Sequence, residues 1–116
     1  MELISLEDAK TYLRVDSSDE DALIGMLLST AQRLCADVGR LDEKQWAVVS
    51  SENGIDDAVD TVKMYTDAEL SRIREVMKAA ILYALGYLYE HREEADHHDL
   101  IMTLRSILFA VREGIF

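Results

Sequence analysis

Apolar positions recur at helical spacing along most of this chain. Leu6, Ala9 and Leu13 predict a short helix over about 6–14. Ser5 and Asp8 stand three apart at its start, a variant capping box in which a side-chain oxygen accepts a first-turn amide. Val15-Asp16-Ser17-Ser18 interrupts the pattern and supplies candidate N-caps. Asp19, Glu20 and Asp21 then favour the positive end of a second helix, over about 19–38. Leu23, Leu27, Ala31, Leu34 and Val38 form its apolar stripe, and Gly39 suits its C-cap. Cys35, beside Leu34, reads as a buried small apolar residue rather than a reactive thiol.

The pattern weakens over 40–66. Trp46 to Val49 reads either as a strand entering an Asn53-Gly54 turn or as part of a helix. Ile55, Ala58, Val59 and Val62 lie at three- and four-residue spacing, which keeps the helical alternative equally open, and the expectation is a loop with one or two short helical pieces. Thr66 and Glu69 then open a long helix over about 67–93. Ile73, Val76, Met77, Ala80, Ile81, Ala84, Leu85 and Leu88 are its core stripe, while Leu82, Tyr83, Tyr87 and Tyr89 occupy other faces. From Val76 to Tyr89 it is nearly apolar all round except at Lys78. Such a helix is central in its domain or covered by neighbouring subunits. Few helices are available to surround it, which favours oligomerisation. The polar run 90–99 ends it, and Leu100, Ile101, Leu104, Ile107, Leu108 and Val111 mark a last helix to about Arg112. Gly25 and Gly86 lie inside predicted helices, where a glycine permits close approach of another helix or subunit. The expected class is all-α, a small bundle of about four helices.

The chain has 116 residues, enough for one domain over 1–116. Apolar residues make up 49% of it, too many for a disordered acidic tail. One cysteine closes no intrachain disulfide, and the absence of proline excludes polyproline recognition. The start, Met1 to Ser5, lacks a basic region followed by an apolar run, so no signal peptide is expected. The longest apolar segment, Ala79 to Tyr89, is half of the roughly 20 residues that cross a membrane. A reducing cytoplasm is the expected setting, without membrane contact. The net charge of −11 repels phosphates and gives no basic footprint for reading nucleic acid. That charge is uneven: residues 1–60 carry 14 acids against 5 bases, and residues 61–116 carry 9 against 7.

Two constellations invite chemistry. His91, His97 and His98 stand among carboxylates, but a six-residue step turns His91 and His97 to different helix faces, and no third ligand follows. The spacing favours a solvated helix junction over a metal site. Glu90, Glu93, Asp96 and Asp99 step by three, a row that drifts slowly around a continuous helix. Paired carboxylates on helices hold Mg²⁺ in small all-α nucleotide pyrophosphohydrolases. The second acidic helix of that motif is missing here, and like charges at these steps can simply end the helix. No catalytic residue, metal ligand or cofactor is assigned. Tyr83, Tyr87 and Tyr89 lack interleaved Lys or Arg, so a protein interface suits them better than base stacking.

Three segments together resemble one family. They are Ile4-Ser5-Leu6-Glu7-Asp8-Ala9-Lys10-Thr11-Tyr12-Leu13-Arg14-Val15-Asp16 with the acidic turn and helix after it, then Val76 to Glu93 with its Tyr89-Glu90-His91-Arg92-Glu93 end, then Leu104 to Arg112. Their order is similar to that in the small head–tail connector proteins of tailed bacteriophages and prophages, also called head-completion or DNA-packaging adaptor proteins. The likeness covers all but the middle stretch. It implies a non-catalytic all-α subunit of a ring, usually twelvefold, below the portal protein. Its other partner is a tail or head-closure protein, and DNA passes through the channel without sequence-specific binding. Assembly in the host cytoplasm and a final place in the virion neck follow. Members often carry glycine and proline between the long and last helices, whereas Ala95 to Asp99 has neither.

On this reading Tyr83, Tyr87, Tyr89, Glu90, Arg92, Glu93 and Arg112 are the candidate subunit or partner interface. Arg92 and Glu93 would set register through a rim ion pair, with Tyr89 as the anchor beside them. The alternatives are an Mg²⁺-dependent pyrophosphohydrolase using Glu90, Glu93 and Asp96, or a small helical regulatory adaptor. In a ring, the acidic half facing solvent or the channel would keep a duplex from sticking.

Overall fold

The computed structural model describes residues 3–50, 65–91, 93 and 97–114. Six helices occupy them: α1 (Leu6–Leu13), α2 (Asp21–Val38), α3 (Glu43–Ser50), α4 (Asp67–Glu90), α5 (His98–Ile107) and α6 (Phe109–Glu113). No strand occurs among the described residues, so the all-α class stands and Trp46 to Val49 is helical. Asn53-Gly54 and Ile55 to Val62 lie outside the described residues. Among those described, no helix is long and apolar enough to cross a membrane.

The helix ends follow local side-chain chemistry. Ser5 Oγ accepts the Asp8 amide at 3.1 Å and starts α1. Arg14, with φ of 60°, ends it in the left-handed conformation. Thr66 and Glu69 form a complete capping box at the start of α4, with bonds of 3.1 and 2.9 Å. Asp42 and Gln45 exchange bonds in the same way before α3, at 2.8 and 3.0 Å. α2 starts at Asp21, later than expected, with Glu20 as an N-cap that gives no side-chain bond. Gly39 follows α2 at φ −76°, and the left-handed residue is its neighbour Arg40 at 59°. The room around Gly39 is nevertheless tight. A Cβ there would stand 3.1 Å from the Cys35 carbonyl oxygen and 3.4 Å from Val111 Cγ1.

α4 is the centre of the bundle. α1, α2, α3 and α5 all pack against it, α2 most extensively. Ile73, Met77, Ala80, Ile81, Ala84, Leu85 and Leu88 are buried along it. Val76, Leu82, Tyr87 and Tyr89 are half-buried against the same core. No large side chain of α4 is among the exposed hydrophobics of the described residues, which are Tyr12, Met26, Met102 and Phe109. The domain therefore covers its own apolar helix, and the expectation that neighbours must do so loses its physical basis. Burial on α2 is also shifted from the expected stripe. Ile24, Leu28, Ala31, Cys35 and Val38 are buried, whereas Leu23, Leu27 and Leu34 are half-buried. Apolar residues at both 23–24 and 27–28 make a broad face whose centre the spacing alone does not fix.

Two expected boundaries move. α4 stops at Glu90 rather than 93, and the single last helix is two pieces joined at the buried Leu108. Polar contacts between distant segments align the bundle. The Leu3 amide donates to buried Gln32 Oε1 at 3.0 Å. Arg74 donates to the Val48 and Val49 carbonyls, both at 3.0 Å, and so satisfies the C-terminus of α3. Tyr89 donates its hydroxyl to Glu20 Oε1, which places the end of α4 beside the start of α2. Arg112 Nη1 donates to the Val38 carbonyl at 2.8 Å, which brings the last helix to the end of α2.

The two suspected helix glycines differ. At Gly86 an added Cβ would meet the Tyr12 ring at 3.3 Å, so α1 does approach there. At Gly25 nothing lies within 4 Å. Gly25→Ala should therefore raise the unfolding free energy by about 0.5–1 kcal/mol, the ordinary helix-interior difference. Urea unfolding followed by circular dichroism checks this.

Candidate functional site

The sequence of α4 places Tyr83, Gly86, Tyr87 and Glu90 at three- and four-residue steps, so they share one face of its last turns. α1 runs past this face, and the left-handed turn at Arg14 leads the chain away from it. Between them lies an open groove of about 770 Å³, lined also by Tyr12, Leu13, Arg14, Tyr89 and His91. Gly86 forms a gap into which the Tyr12 ring settles. The ring nevertheless remains 49% exposed, so the groove keeps an accessible aromatic wall.

Its far end is ordered by ring contacts. His91 caps α4 and stacks on Tyr87, with centroids 4.2 Å apart and planes 19° from parallel. His91 Nδ1 lies 3.0 Å from the Tyr87 carbonyl oxygen, which can only accept, so Nδ1 carries the proton. His97 meets Tyr87 edge-on at 6.0 Å. Tyr89 is fixed by its bond to Glu20, and Lys10 pairs with Asp21 at 2.7 Å nearby.

The groove unites Tyr83, Tyr87, Tyr89 and Glu90 of the expected interface. Glu93 is exposed beyond the helix end, and Arg92 lies outside the described residues. Arg112 is elsewhere, at the end of α2, where its bond to Val38 gives it a structural role. Desolvation, then the like charges of Arg40 and Arg105, pull its pKa below the ordinary guanidinium value, and the Glu113 carboxylate pushes back. Tyr12, Arg14 and His91 were not among the expected interface residues. Tyr12 carried a weak signal, a large ring outside the Leu6, Ala9, Leu13 stripe.

The site offers aromatic surface and a few charges. Because α4 ends at Glu90, the acidic row does not continue on one helix, and Asp96 lies outside the described residues. Among the described residues no three His, Cys, Asp or Glu side chains could hold a metal ion. Cys35 lies in the core, where burial pushes its thiol pKa up to about 12.

Three outcomes follow. Tyr89→Phe should lower the unfolding free energy by about 1–2 kcal/mol in urea titrations, the worth of a half-buried bond to a carboxylate. The Cys35 thiol should resist an aromatic disulfide reagent at pH 8 and react once guanidinium unfolds the chain. Its folded pKa exceeds the ordinary 9.0, so its contribution is complete below pH 9 and is lost as pH rises towards about 12. Urea midpoints at pH 8 and pH 10.5 should accordingly fall further in the wild type than in Cys35→Ala.

Compared with family models, curated proteins and solved structures, the chain finds no match in any of the three.

Proposed function

We propose that this chain is a structural head–tail connector subunit of a tailed phage or prophage. It assembles into a ring, about twelvefold, beneath the portal and joins it to tail or head-closure components. DNA passes along the channel without sequence-specific contact. The observation that carries this reading is the position of the segments that resemble the family. The first and second, Ile4 to Asp16 and Val76 to Glu93, supply every residue lining the tyrosine groove. The third, Leu104 to Arg112, supplies exposed Phe109 and the arginine that reaches Val38. A shallow aromatic groove with amphipathic tyrosines suits a protein contact.

Native mass spectrometry over a concentration series, with and without the portal protein, tests the proposal. The expected result is a ring of about twelve copies on the portal. Tyr89→Ala and Arg92→Ala should each weaken that assembly while circular dichroism shows unchanged helix. Chains that never join the portal at any concentration would overturn the reading. So would Mg²⁺-dependent pyrophosphate release from nucleoside triphosphates that vanishes in Glu93→Gln.

A further inference from the structure

The tyrosine groove has a counterpart on the same chain. Arg105, Phe109 and Arg112 recur at four- and three-residue steps across the α5–α6 junction. Among the described residues of this region Phe109 is 57% exposed, and Met102, seven residues before it, is 48% exposed. Arg40 adds a third guanidinium beside Arg112, and Glu113 adds a carboxylate. Neither Arg40 nor Arg105 has a carboxylate within ion-pair distance among the described residues. In a chain with 23 acids and 12 bases, such a corner is unusual. It is an aromatic knob flanked by positive charge.

The groove has the complementary character. It presents tyrosine rings, and Glu90 stands exposed at its edge without an ion pair among the described residues. Glu20, held by Tyr89, adds a second carboxylate at the same end of the bundle. Arg14 is the opposing cation there.

The two surfaces cannot meet within one copy. Tyr89 fixes the groove at the start of α2, and Arg112 fixes the knob at its end. The 18 residues of α2 separate them by about 27 Å, at about 1.5 Å per residue. A contact between different patches on successive copies is heterologous, the geometry that closes rings or extends filaments.

We propose that Phe109 of one copy inserts into the tyrosine groove of the next, with Arg105 and Arg112 facing Glu90. This contact rests on the connector reading and gives it a specific subunit interface. Two copies, each at −11, repel at long range. The arginine corner meets opposite charge at Glu90 of a second copy, with Glu20 behind it, and the aromatic pair supplies the apolar anchor.

Phe109→Ser removes the knob, and Glu90→Arg sets a cation against the arginines. Both positions are exposed, so circular dichroism should show wild-type folding. Sedimentation velocity and native mass spectrometry of the full chain then read association. The wild type should form species larger than a dimer, and each variant alone should associate about thirtyfold more weakly. An equimolar mixture retains one intact contact, between Phe109 of the Glu90→Arg copy and the groove of the Phe109→Ser copy. It should give a one-to-one dimer and nothing larger. Unchanged association in both variants, or a mixture without that dimer, overturns this contact. A wild type that stays monomeric up to about 1 mM also overturns it. In each of these cases a ring on the portal would leave the connector reading standing.

Discussion

Everything in this domain depends on covering one helix. α4 carries apolar residues on most of its circumference, and water must be kept from nearly all of them. Four helices share that task, with α2 laid along it most extensively. A small chain meets the demand by leaving little apolar surface idle. Among the described residues, the large apolar side chains left exposed belong to α1, α2, α5 and α6. The Phe109 corner is thus made by the cover, whereas the groove lies at the seam between α1 and the last turns of α4.

Apolar burial is non-directional, so it does not by itself fix how far each helix slides along α4. Directional bonds at the ends do that. Gln32 holds the N-terminal segment, Arg74 holds the end of α3, Tyr89 holds the start of α2 and Arg112 holds its finish. In two of these an arginine satisfies carbonyls left over at a helix C-terminus. The same groups that align the bundle thus settle its unpaired backbone. Tyr89 and Arg112 also border the two surfaces proposed for subunit contact, so on that proposal alignment and recognition share residues.

Local signals in the sequence were legible where a few neighbouring residues decide the outcome. The caps at Ser5 and Thr66 and the class of every long helix belong here. The Asp42–Gln45 box carried an equally local signature inside a stretch whose weak periodicity left strand and helix both open. Other features depend on distant partners. The buried face of α2 is decided by which of two adjacent columns turns inward, and Leu28 is the fully buried one while Leu27 is half-buried. The break at Leu108 serves the packing of its buried side chain and the reach of Arg112 to Val38. The groove was half visible. Its α4 side was read from the tyrosines, whereas its α1 side arises only because Gly86 lets the Tyr12 ring come close.

Arg74 carries a consequence for observing the molecule. Its two bonds join α3 to α4, and α3 bears Trp46, the only indole in the chain. Trp46 rests half-buried against the core that α4 organises. Its fluorescence is therefore a local gauge: a red shift marks α3 lifting from α4, whether or not the other helices have parted. Circular dichroism, weighted by the long helices, registers the bundle as a whole. Recorded together, the two signals separate loosening of one edge from loss of the fold.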